Sequence, residues 1–85
     1  MNRYLVENYQ DTIDSYYGIG TKIKVKNLSY SLSNNLILVE VKIELGEVIS
    51  EEVMENEMCD LLIRETIEPI YPEQHIKVMI SWDVT

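Results

Sequence analysis

Hydrophobic positions along the chain switch between a helical and a strand period, and the switches mark out five elements. Residues 3–17 carry Leu5, Tyr9, Ile13 and Tyr16 at spacings of 4, 4 and 3, with Glu7, Gln10, Asp11 and Asp14 elsewhere on the wheel. That is one apolar stripe of an amphipathic helix. Gly18 supplies its C-terminal stop, because glycine enters the left-handed region without a Cβ penalty, and Gly20 frees the chain to turn.

Residues 21–45 alternate with period two and predict a hairpin. Ile37, Val39, Val41, Ile43 and Leu45 share one face of its second strand, with Glu40, Lys42 and Glu44 opposite. The first strand changes phase: Ile23 and Val25 are odd-numbered, whereas Leu28, Tyr30 and Leu32 are even. Both sets can face one core only if an extra residue is inserted between them, which predicts a β-bulge at Lys26–Asn27. Asn34-Asn35 suits a two-residue turn, since Asn tolerates positive φ. That turn pairs Leu32 with Ile37, Tyr30 with Val39 and Leu28 with Val41. Beyond the bulge the register shifts by one and pairs Val25 with Ile43 and Lys24 with Glu44.

Ser50 is placed to cap a second helix running to about Ile67, with Glu51 and Glu52 at the positive end of its dipole and Pro69 ending it. Glu57, Asp60, Arg64 and Glu68 form a polar stripe, and Asp60–Arg64 and Arg64–Glu68 fall at i,i+4. The apolar residues divide into Met54, Met58, Leu61 and Leu62 on one side and Cys59, Ile63 and Ile67 on another. Such a helix is covered on two sides, by the sheet and by either the first helix or another molecule. After a loop, Ile76, Val78, Ile80, Trp82 and Val84 alternate with His75, Lys77, Met79, Ser81 and Asp83 in a last strand.

The expected architecture is a single α+β domain over residues 1–85. It is a two-layer αββαβ arrangement, with a three-stranded mixed or antiparallel sheet and both helices on one face. The third strand is expected parallel to the second, through a right-handed crossover if the two share a sheet; its neighbour within the sheet is open. The element order resembles a ferredoxin-like fold lacking its first strand. It also resembles one KH-domain arrangement, but the Gly-x-x-Gly loop and second consecutive helix of that family are missing.

Charge divides the molecule. Residues 44–68 hold nine acidic side chains and one basic, Arg64, so this stretch accounts for the net charge of −8. The other residues sum to zero, with Lys22, Lys24, Lys26 and Lys42 all in the hairpin. An acidic helix on one side and a lysine-bearing sheet on the other make a bipolar molecule. Net acidity opposes non-specific nucleic-acid binding and anionic membranes, both of which reward lysine and arginine. One cysteine excludes an internal disulfide. A chain of this length buries only about 60–65 % of its unfolded surface, so stability rests on the core or on a partner subunit that extends it. No stretch approaches the roughly 18–20 apolar residues of a membrane span. Residues 1–10 contain no run like a signal peptide, and the cytoplasm is the expected location.

Catalytic signals are weak. A Cys59–His75 pair would need positive charge near the thiol, but Cys59 lies among acidic residues that raise its pKa, and a structural cysteine is the better reading. The carboxylate groups Asp11/Asp14, Glu51/Glu52/Glu55 and Glu57/Asp60 lack the cleft that separates acid from base. Gly18-Ile19-Gly20-Thr21-Lys22 follows a helix and precedes a strand, the reverse of a phosphate-binding loop. No enzyme, metal or cofactor is implied.

The binding signal is stronger. Leu36, Leu38 and Met79 fall on the supposed solvent face of the sheet, and a cluster there suggests a buried contact with another chain. The leading expectation is a non-enzymatic protein–protein interaction module, a homodimer associating through the sheet's outer face or edge and through helix 2. On that expectation Leu38→Glu yields monomer. The alternative is a small molecule or a single nucleic-acid strand bound at the face carrying Lys22, Lys24, Lys26 and Lys42. Single-strand recognition wants exposed aromatics for stacking, and Tyr30 and Trp82 point with the core set.

Overall fold

The computed structural model describes residues 3–18, 22–46 and 51–84. Helix α1 (Arg3–Tyr17) buries Leu5, Tyr9 and Ile13 and ends at Gly18, whose φ of 96° is the left-handed stop expected of it. Tyr16 departs from its expected place on the stripe and is 56 % exposed, while Tyr17 packs against the core. The buried row advances strictly by four residues, and position 17 continues it.

Strands β1 (Ile23–Ser33) and β2 (Leu36–Leu45) form the hairpin in the expected register, with the shift between Val25 and Asn27. Lys26 is the inserted residue. Asn34 and Asn35 turn the chain with φ of 47° and 63°, the paired positive values of a type I′ turn. Leu28 is fully buried, but Leu32, in the same phase at the hairpin tip, is 55 % exposed. Tyr30 and Tyr71 pack against the core and are joined by an Oη–Oη hydrogen bond of 2.8 Å.

Helix α2 (Glu51–Leu61) runs into a π-helical segment, Leu62–Ile67, where the Glu68 N–H reaches back five residues to the Ile63 carbonyl at 2.8 Å. The wider turn sets Ile67 beneath Leu62 rather than beside Cys59 and Ile63, and Leu62 and Ile67 are both fully buried. This corrects the wheel, which assumed 3.6 residues per turn throughout. The expected Asp60–Arg64 and Arg64–Glu68 pairs do not form. Among the described residues, the ion pair within bonding distance is Lys26–Glu44 at 3.3 Å. Ser50 and Gly20 lie outside the described residues, as do the side chains of Glu51, Glu52, Met54 and Val84.

Strand β3 (His75–Val84) lies parallel to β2, giving the order β1-β2-β3 in one mixed sheet. The core forms between the helices and the sheet face carrying Ile23, Val25, Leu28, Ile37, Val39, Val41, Ile43 and Leu45. Among the described residues, no helix is long and apolar enough to cross a membrane.

Candidate interaction surface

Sheet register decides which exposed residues become neighbours. On the outer face, Ser31, Leu38 and Lys77 form one row across the strands, and Ser29, Glu40 and Met79 form the next. Leu36 and Leu38 therefore stand in line on β2, with Met79 diagonal to Leu38. Leu36 is 42 % and Met79 52 % exposed, and Leu38 is half-buried. Leu38 thus adjoins Leu36 along β2 and Met79 diagonally on β3, while Leu36 and Met79 stand two rows apart.

The lysines share the outer face but do not make a positive field. Lys24 sits in a row with Glu44 and Asp83, and Lys26 is paired to that same Glu44. Lys42 lies between Asn27 and Ser81, and Lys22 is exposed just before β1. Trp82 and Tyr30 are on the core side, so His75 is the ring left on this face.

The two sheet edges differ. Gln10 of α1 caps the start of β1: its Nε2 donates to the Ile23 carbonyl at 3.0 Å, and its Oε1 accepts the Val25 N–H at 2.7 Å. One side-chain amide thus imitates a neighbouring strand. The helical wheel places Gln10 off the apolar stripe. The available signal was its place three residues before Ile13 and four after Val6, on the flank of the apolar row.

β3 has no such cover. Its ladder begins with the His75 N–H bonded to the Asn35 carbonyl at 2.9 Å, which turns the backbone groups of His75, Lys77, Met79, Ser81 and Asp83 toward β2. Those of Ile76, Val78, Ile80 and Trp82 point away from β2, and among the described residues none has a partner there. The side chains of these four residues face the core but are only half-buried. Cys59 on α2 and Ile63 in the π-helical segment are half-buried as well. They lie about half a turn from Leu61, which lines the groove against α1. The incompletely covered regions are thus the border of β3 and the helical flank that carries Cys59 and Ile63.

Chemical groups elsewhere do not converge. Burial pushes the Cys59 thiol up, and Glu55 and Asp60 add to the shift, leaving little thiolate at neutral pH. Cys59 lies in the helical layer and His75 on the opposite face of the sheet, so they form no pair. The groove between α1 and α2, of about 410 Å³, is lined by Asp11, Thr12, Ser15, Tyr16, Leu61 and Glu65, without a cation to orient a ligand. Glu57 accepts from Tyr17 at 2.9 Å and from Tyr16 at 3.4 Å. These bonds join the helices; burial first, then Glu57, raises the Tyr17 phenol.

No protein-family model and no curated protein sequence matches the chain. Among solved structures it is similar to the C-terminal domain of the magnetosome protein MamB from Desulfamplus magnetovallimortis BW-1. The TM-score is 0.68 at 12 % identity, over 98 % of this chain and 95 % of that one. At this identity the likeness establishes the αββαβ fold alone.

Proposed function

We propose that the domain is a non-enzymatic interaction module that associates with a second copy of itself through the open β3 side of its sheet. Leu36, Leu38 and Met79 lie at the margin of that contact. One observation carries the reading: β3 is unpaired along its outer border, half-exposed on its core face and exposed at Met79 on the other. On β1, by contrast, Gln10 engages the outward backbone groups at Ile23 and Val25. The outward backbone groups of Ile76, Val78, Ile80 and Trp82 form an unpaired edge, a ready template for another strand.

Light scattering on a sizing column at moderate salt tests this. The expected mass is twice the 10.0 kDa of the single chain. A single-chain mass maintained to high protein concentration would overturn the reading.

A further inference from the structure

We propose, resting on the self-association reading, that two copies pair β3 with β3 in antiparallel fashion about a two-fold axis at Ile80. The two three-stranded sheets then become one continuous sheet. The backbone phase supplies the first argument. The outward N–H and C=O groups belong to Ile76, Val78, Ile80 and Trp82. An antiparallel neighbour must therefore set these residues opposite one another, which restricts the register to shifts of two.

Charge then selects among the registers. Centred on Ile80, the pairing sets Lys77 opposite Asp83 of the second copy and, by symmetry, Asp83 opposite its Lys77. Both side chains are exposed on the outer face. They would occupy the non-hydrogen-bonded positions, where cross-strand side chains approach closest. Centring on Met79 would leave Lys77 against Ser81; centring on Ser81 would put Asp83 against Met79. Only the Ile80 register satisfies both charges.

The apolar side agrees. Val78 falls opposite Trp82 and Ile80 opposite itself, giving β-branched and aromatic cross-strand pairs from residues the monomer half-covers. Two of the edge defences are missing from β3: its ladder has no bulge, and it contains no proline.

Sedimentation equilibrium of the full chain and three charge variants tests the seam, with circular dichroism confirming the fold of each. Lys77→Asp and Asp83→Lys should each weaken dimerisation at least about tenfold, because each turns two cross-strand attractions into repulsions. Asp83→Lys is the sharper arm: it lowers the net negative charge, so general repulsion alone would strengthen association. Combining both substitutions should restore the wild-type constant. Should one variant fail to fold, the other single variant carries the test.

Leu38→Glu, one strand in from the seam, should leave a dimer. A wild-type dimer indifferent to the charge variants but dissolved by Leu38→Glu would overturn the seam and leave self-association through the outer face standing. Single variants that weaken the dimer without rescue by the swap would overturn this register. A monomeric wild type would remove both readings.

Discussion

Tyr9 has no exposed surface, yet its hydroxyl is satisfied: it donates to the Met58 carbonyl at 2.9 Å and so ties α1 to α2. Removing the hydroxyl in Tyr9→Phe leaves that carbonyl without this donor. The expected cost is about 1 kcal/mol, read from the urea midpoint at neutral pH. Burial, followed by the nearby Cys59 and Tyr17, raises the Tyr9 phenol far above its ordinary range. The folded state therefore holds this proton more tightly than the unfolded chain. The corresponding stability is complete below about pH 10, the unfolded phenol value, and is lost as pH rises beyond it. Tyr9→Phe should lose less stability than wild type between pH 9 and 11. An equal loss in both would mean that Tyr17 and Tyr30, whose phenols are also raised, account for the alkaline transition.

At the scale of elements, the bulge in β1 is the clearest instance of local pattern dictating structure. Val25 and Leu28 both face the core only because Lys26 is inserted between their phases. Lys26→Ala should be nearly silent, within about 0.5 kcal/mol, since it removes only an exposed ion pair with Glu44. Deleting Lys26 is different. It would turn either Leu28 or Val25 and Ile23 outward, and exposing Leu28 alone costs about 1.5–3 kcal/mol. Thermal unfolding of the two variants should separate them by several degrees. The hairpin was legible because alternation and turn chemistry are short-range properties, confined to Ile23–Leu45. The π-helical turn was not. An α-helical wheel sends Ile67 away from Leu62, and only burial against the sheet and α1 makes the wider turn worthwhile.

For the whole molecule, the sign of the charge matters more than any pair. Each chain carries −8, so two chains brought together repel across surfaces rich in carboxylates. Screening weakens this repulsion over roughly 10 Å at 0.1 M salt and 3 Å at 1 M. Dimerisation should therefore strengthen as salt rises from 0.05 to 0.5 M, measured as the dissociation constant. A contact dominated by the Lys77–Asp83 pairs would weaken over the same range.

By itself the sequence determined the elements, the bulge, the turn and the hairpin register. Each of these follows from periodicity or from the conformational preferences of Gly18, Asn34 and Asn35, which act within a few residues. Tertiary structure alone decided that β3 neighbours β2, that Gln10 caps the start of the opposite edge, and that Tyr17 rather than Tyr16 joins the core. These outcomes depend on residues distant in sequence meeting in space: Gln10 reaches Ile23 and Val25, and Asn35 receives His75. Backbone donors and acceptors are alike in every residue, so side-chain pattern can announce a strand without saying which edge it will cover or leave bare.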